Sequence, residues 1–221
     1  MRRLLLLIAL LAGFTVVPGT SPALAAQRDP ILFVHGFSGG EFNWWQMKSR
    51  FNNDGWSQAY NWSYDSGQSN VTTAYQIRDK VNQIKAQTGA SKVDIISHSM
   101  GGLSSRYYLK NLGGQYSVDD WVSIGGPNHG TGTAWACFTT SCGEMRPGSQ
   151  FLNALNSGDE TPTNQSYVKY GTFRSWCDEI INPDDSTILS GAYNYQVGCY
   201  GHITLLGSWD VYTKVREFVR Y

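Results

Sequence analysis

A chain of 221 residues is long enough for one domain of ~100 to 200 residues with a short segment to spare. Lys+Arg 17 balances Asp+Glu 17 and charged residues make up only 15%, so the basic surplus that phosphate-backbone binding needs is missing, which argues against nucleic acid as a partner. With 41% hydrophobic residues, 14% aromatics and 24 glycines, the composition describes a globular core with many turns, not a disordered or fibrous chain.

Met1-Arg2-Arg3 precedes the apolar run Leu4 to Val17, and Ala23-Leu24-Ala25 follows it. The run is 14 residues, short of the ~20 that span a bilayer, so residues 1–25 read as a secretory signal peptide, with an uncleaved anchor as the alternative. Cleavage after Ala25 removes Arg2 and Arg3 and leaves a single domain, 26–221, with a formal charge of about −2.

In that domain Ile31 to Val34 is a short apolar run stopped by His35-Gly36, as in a strand buried on both faces. Trp56 to Trp62 is a weaker apolar stretch. Val71, Ala74, Ile77, Val81 and Ile84 recur at helical spacing, with Gly89 as a stop. A strand over Lys92 to Ile96, a helix carrying Leu103, Tyr107 and Leu112, and a strand over Trp121 to Ile124 come next. From Gly125 to about Ser166 the pattern breaks into Gly, Thr, Asn, Ser and Pro, apart from a short helical stretch at Phe151, Leu152 and Leu155. Such a length of irregular chain is usually functional or a cover. Tyr167 to Thr172 and Asn194 to Val197 are the last expected strands, and Val211, Val215 and Phe218 mark a final helix capped by Ser208. The alternation implies right-handed crossovers and a mostly parallel sheet covered by helices, the α/β class.

Cys137, Cys142, Cys177 and Cys199 all lie in the exported part, where two disulfides are expected. Sequence proximity pairs Cys137 with Cys142 and leaves Cys177 for Cys199. Zinc is the competing reading of these cysteines, but no Cys-x-x-Cys pair and no His at ligand spacing supports it.

Ser97-His98-Ser99-Met100-Gly101 stands where a strand meets a helix, the place of a nucleophile elbow. A tight turn there lifts the Ser99 hydroxyl above the sheet edge and tolerates only small residues two positions away. Ser97 replaces the usual glycine. The N–H of Met100 directly follows the nucleophile, and the N–H of Phe37 follows the first strand, so these are the expected oxyanion donors. A serine needs a base. His98 points to the other side of the turn, His35 belongs to the oxyanion strand end, and His129 precedes every good acid, which leaves it structural or substrate-lining. His202, between the last strand and the last helix, fits the base. Asp178 fits the acid; Asp184 and Asp185 are rivals in a turn-like Asn182-Pro183-Asp184-Asp185-Ser186. A Cys177–Cys199 bond would brace the acid and base loops together.

Val34-His35-Gly36-Phe37, Lys92 through Gly102, Tyr107 through Leu112 and Gly201-His202-Ile203-Thr204-Leu205-Leu206 together resemble the small secreted bacterial lipases of the lipase class 2 family, minimal α/β hydrolases. The resemblance implies the α/β-hydrolase fold, triad roles for Ser99, Asp178 and His202, oxyanion roles for Phe37 and Met100, and hydrolysis of acylglycerols and other carboxylic esters without a cofactor. The 126–166 insertion and the four cysteines depart from it. Phe37, Phe42, Trp44, Trp45 and Met100 lie near the oxyanion loop and could form an apolar groove, or could be core packing. The Cys137–Cys142 loop and the Phe151 helix could form a small flap; a large amphipathic lid is not expected. The resulting expectation is a secreted, monomeric triacylglycerol lipase that touches lipid surfaces transiently. Short-chain esterase, phospholipase, polyester hydrolase and acyltransferase remain open on the same triad. A non-catalytic binding protein is the reading from another class, and a serine protease is disfavoured by chain order.

Overall fold

The computed structural model describes residues 28–163 and 168–220. The expected signal segment lies outside these residues, as do Asn164 to Tyr167. Six strands form one sheet: β1 (Ile31–Val34), β2 (Ala59–Asn61), β3 (Val93–His98), β4 (Val118–Ile124), β5 (Lys169–Ser175) and β6 (Tyr193–Val197). Their order is β2-β1-β3-β4-β5-β6, and every neighbouring pair is parallel. The chain runs from β1 outward to β2 and then returns to the far side of β1 as β3. That reversal opens a crevice beyond the carboxyl ends of β1 and β3, where open α/β sheets place their ligands.

Helices α1 (Trp45–Asn53), α2 (Asn70–Thr88), α3 (Gly101–Asn111), α4 (Thr140–Met145), α5 (Gln150–Asn156) and α6 (Trp209–Phe218) cover the sheet and its upper edge. Alternate strand residues face opposite layers, as the two-residue period requires. Ile31, Phe33, Ile96, Val122, Ile124 and Phe173 pack with Met47 and Phe51 of α1 and Val211, Tyr212 and Val215 of α6. Leu32, Val34, Val93, Ile95 and Trp121 pack on the other face with Ala74, Ile77, Val81 and Ile84 of α2 and Tyr108 and Leu109 of α3. The periodic positions of α2 read in the sequence are thus its buried stripe. Gly89 ends α2 in the left-handed region at φ +73°, the conformation that glycine adopts without a Cβ penalty. Ser208 caps α6 by accepting from Val211 N.

Three strands have ends that differ from expectation. β3 runs on to His98 because Ser97 and His98 pair with Ser123 and Ile124 of β4. β4 begins at Val118, since Asp119 and Asp120 find Lys92 (2.8 Å) and Lys169 (3.2 Å). β5 starts later than expected and continues to Ser175, paired on both sides for most of its length. In each case polar strand residues with partners hid the boundary. The irregular 126–166 stretch holds α4, α5 and a tight helical turn at Gly132–Ala136. Among the described residues no helix is long and apolar enough to cross a membrane.

Candidate active site

Ser99 follows β3 directly and sits at φ +55°. A non-glycine residue in this region is strained, and the strain persists only where surrounding structure imposes it. Here Ser99 N–H donates to Ile124 O at 2.9 Å, and Gly102 N–H donates back to Ser99 O at 3.0 Å, closing the strand-to-helix turn. The turn fits because its flanks are small. A Cβ on Gly101 would lie 2.5 Å from the carbonyl oxygen of His35 and 2.6 Å from that of Val34. Ser97 fits where a glycine is usual because its hydroxyl donates to Val122 O at 2.6 Å.

Gly36 lets β1 come against the same turn, since a Cβ there would sit 2.5 Å from Ser99 Cβ. That approach brings the segment carrying Phe37 beside Ser99, and both residues line one cleft. His35 is fully buried and braces this loop. Its Nδ1 meets Gly36 O at 2.8 Å and its Nε2 accepts from Tyr64 N at 3.3 Å, which defines the neutral Nδ1–H tautomer. Burial lowers its pKa and holds it neutral. Tyr64 stacks on the imidazole at 3.9 Å and donates its hydroxyl to His35 O. Tyr64 is a residue that sequence reading missed, because nothing local marks a partner 29 positions away.

On the other side of the turn, His202 Nδ1 lies 2.8 Å from Asp178 Oδ2, and both side chains are almost wholly buried. Asp178 Oδ1 accepts from Ile180 N and Ile181 N, each at 2.9 Å. The carboxylate is therefore oriented by its own loop before it meets the imidazole. The rival Asp184 is engaged by Arg174. Two further residues hold His202: Glu179 Oε2 accepts from its backbone N–H at 3.0 Å, and His98 Nε2 meets its carbonyl at 3.0 Å. The rings of His98 and His202 are 4.5 Å apart, and burial, followed by the charge of His202, pushes the His98 pKa down to about 3. Gly125, after β4, joins the two halves of the site: a Cβ there would lie 3.1 Å from Asp178 Oδ2 and 3.4 Å from His202 Nδ1.

Cys177 bonds to Cys199 and Cys137 to Cys142. The first bond ties the neighbour of Asp178 to a point three residues before His202. His129 stands apart from the cleft, with Nε2 2.7 Å from Glu160 Oε1 and its backbone N–H on Ser186 O. Its place is structural. Trp44, one of the expected groove aromatics, is instead fully buried and stacks on Phe33 at 4.9 Å. Met100 is buried as well, whereas Phe42 and Trp45 are exposed beside a second surface groove with Tyr200, Ile203 and Leu206. The cleft at Ser99 is lined by Phe37, as expected, and otherwise by residues from the irregular stretch and the acid loop, among them Ala134, Met145, Ile180 and Ile181.

At the opposite end of the strands, Asp29, Asp94 and Asp119 bring carboxylate oxygens within 4.8 Å of one another. Burial, reinforced by the charges of Asp120 and Asp29, raises the pKa of Asp94 well above the usual carboxylate range. Lys92 and Lys169 pair with Asp119 and Asp120 there. This group lies at the amino ends of β3 and β4, away from the cleft.

Several solved structures share this architecture. Aspergillus fumigatus lipase B superposes with a TM-score of 0.70 at 23% identity, over 81% of this chain and 49% of its own. The mature form of the Bacillus licheniformis lipase BlEst2 gives 0.71 at 17% identity, over 89% of this chain and 92% of its own. These likenesses establish the α/β-hydrolase fold. Among curated relatives, the triacylglycerol lipase of Pseudomonas fragi is 26% identical over 157 residues, covering 62% of this chain and 51% of the relative. That of Burkholderia plantarii is 34% identical over 135 residues, covering 54% of this chain and 36% of the relative. The chain thus spans about half or less of the length of these relatives. The model of the family described as lipase (class 2) matches residues 28–192, from ahead of β1 to the start of β6 and through the Ser99 turn and Asp178. By that match the chain belongs to the lipase class 2 family.

Proposed function

We propose that this protein is a secreted carboxylic-ester hydrolase acting on acylglycerols through an acyl-enzyme on Ser99. The observation that carries the reading is the pairing of a strained serine turn at the carboxyl end of β3 with a buried Asp178–His202 couple held against the adjoining residue, His98. Family membership supports ester hydrolysis, and the named activity of the curated relatives supports triacylglycerol as substrate.

In this mechanism His202 takes the proton of Ser99 as the hydroxyl attacks the ester carbonyl. Asp178 accepts from Nδ1–H, holds the tautomer and stabilises the imidazolium. The backbone N–H groups of Phe37 and Met100 receive the developing oxyanion; losing one such donor typically costs ~2.7 to 4 kcal/mol of transition-state stabilisation. His202 then protonates the leaving alcohol, and a water activated by the same imidazole releases the fatty acid and frees Ser99. No step calls for a metal or organic cofactor. Export is supported by the apolar segment at residues 4–17 and by two disulfides in one domain, a pairing that persists in oxidising compartments.

The deciding experiment is hydrolysis of p-nitrophenyl esters and emulsified triacylglycerol by wild type and Ser99→Ala. Activity on both substrates, lost in Ser99→Ala, supports the lipase reading. Cleavage of soluble esters alone makes the protein an esterase, and a folded wild type that cleaves neither overturns the proposal.

A further inference from the structure

The cleft at Ser99 has about 280 Å³ of free space, at the small end of ligand pockets, which run from ~300 to 1,000 Å³. Its walls are mostly apolar: Phe37 on the β1 side, Ile180 and Ile181 on the acid loop, and Ala134, Ala136, Cys137 and Met145 on the irregular stretch. Thr131 and Thr133 also line it, but both hydroxyls donate to the carbonyl of Ile180, at 2.5 and 2.7 Å. Their protons are committed, so the cleft suits a hydrocarbon chain and offers little to a polar head group.

The wall that carries Met145 and Cys137 is fastened to the frame. Met145 belongs to a buried cluster with Met100, Leu103, Leu152 and Leu155, and Ile181 is buried too. The helix that carries Met145, α4, is anchored to the frame by Glu144, which accepts from Ser69 Oγ at 2.6 Å, from Asn70 N at 2.6 Å and from Asn70 Nδ2 at 2.8 Å at the start of α2. Arg146 holds the opposing segment by donating to Ala134 O (3.3 Å) and Cys137 O (3.0 Å). The Cys137–Cys142 bond joins that segment to α4 covalently. The backbone of this wall is therefore tied at several points, and truncating Met145 is the direct way to deepen the cleft.

We infer that this fastened wall caps the acyl length that raises turnover at a medium chain, with Met145 and the Cys137–Cys142 loop setting the limit. The inference rests on the ester-hydrolase reading and adds the chain length to it. At ~30 Å³ for each water-sized group, the free volume holds about nine such groups, so an acyl chain of about eight carbons fills it. Each methylene buried raises kcat/KM about fourfold, and carbons beyond the limit gain no further burial and add nothing.

The test is a kcat/KM series on p-nitrophenyl esters from acetate to palmitate, all dispersed in the same detergent at one concentration. It compares wild type, Met145→Ala, Ala136→Phe and the double variant Cys137→Ser/Cys142→Ser, with folding checked by circular dichroism. Wild type is expected to climb to about octanoate and then level or fall. Met145→Ala, and the double variant if it folds, should raise the dodecanoate-to-hexanoate ratio at least about fivefold, while Ala136→Phe should lower the octanoate-to-acetate ratio by a similar factor. An unbroken rise to palmitate in wild type, or profiles unmoved by both Met145→Ala and Ala136→Phe, overturns the inference and leaves ester hydrolysis standing. A folded wild type that cleaves no ester of any length overturns the functional reading, and the inference with it.

Discussion

His202 is held at three points: its ring by Asp178, its N–H by Glu179 and its carbonyl by His98. The third contact can be removed without touching the proposed triad. With a pKa pushed down to about 3, His98 is neutral at working pH, and a neutral ring that bonds a carbonyl through Nε2 must carry its proton there. Glutamine places its amide nitrogen near the Nε2 position, whereas asparagine stops near Nδ1. His98→Asn therefore leaves a buried carbonyl without its donor, at a cost of ~1 to 3 kcal/mol, or a Tm lower by about 2 to 4 °C for each kcal/mol. A base displaced by a fraction of an ångström lowers kcat by roughly 10- to 100-fold with KM changed less than about twofold. His98→Gln should stay within about fivefold of wild type, because it restores the donor. The two variants differ in acid as well. Because the folded pKa lies below the unfolded value of about 6.5, the unfolded chain binds a proton that folded His98 refuses, and wild-type stability falls as pH drops from about 6.5 toward 3. The loss reaches about 2 kcal/mol by pH 5, and His98→Gln escapes it. Steady-state kinetics on a soluble ester, with Tm at pH 5 and 8, reads all of this. Equal damage in the Asn and Gln variants, or an Asn variant with wild-type kcat, refutes the positioning argument.

Gly36→Ala places a Cβ 2.5 Å from Ser99 Cβ and 3.0 Å from its Oγ; labelling by a serine-directed phosphonate should slow at least ~100-fold, and labelling at the wild-type rate would contradict this packing. Asp94 has a raised folded pKa, so the folded chain holds a proton that the unfolded chain releases as pH rises, and stability is lost in that direction. Asp94→Asn, which keeps an acceptor for Asp120 N, should therefore raise Tm over wild type at pH 8, with the gain shrinking toward pH 4. Replacing Cys177 and Cys199 by serine opens a loop with a sequence separation of 22, worth ~3 kcal/mol in denaturant unfolding, against ~2 kcal/mol for the shorter Cys137–Cys142 loop. The same double variant should lower kcat, since the bond links the loops that carry Asp178 and His202, whereas unchanged kcat would confine the bond to a stabilising role.

The parts of this structure that can be read in the sequence are those whose cause is local. The helical stripe from Val71 to Ile84 and its Gly89 stop, the apolar Ile31 to Val34 strand and the Ser208 cap each follow from a few neighbouring residues, and each is present. The Ser99 turn is legible for the same reason, because small residues two places from a serine are a local steric requirement. Asp178 is a different case. Asp178, Asp184 and Asp185 look alike as carboxylates, and what separates them is that the Asp178 loop donates two of its own N–H groups to one oxygen and turns the other toward His202. Contacts between distant segments left no local trace: Tyr64 on His35, Glu144 on the start of α2, Glu179 on the His202 amide.

The groove aromatics show how sequence proximity misleads. Trp44 and Trp45 are adjacent, yet Trp44 ends the tight turn before α1 with its ring against Phe33, while Trp45 starts the helix facing out. Nearness to Phe37 in the chain could not tell the two apart, because one step along a helix turns a side chain through about 100°. The residues that line the cleft with Ser99 come from the loop after β1, the irregular stretch and the acid loop, segments that converge because the strands between them are parallel and end at one edge. The order of strands thus decides what the serine touches, and an insertion at that edge can reshape the cleft without disturbing the turn that positions Ser99. The cleft wall and the Ser99 turn thus come from separate parts of the chain, with Ile180 and Ile181, which line the cleft and whose N–H groups donate to Asp178, as the shared link.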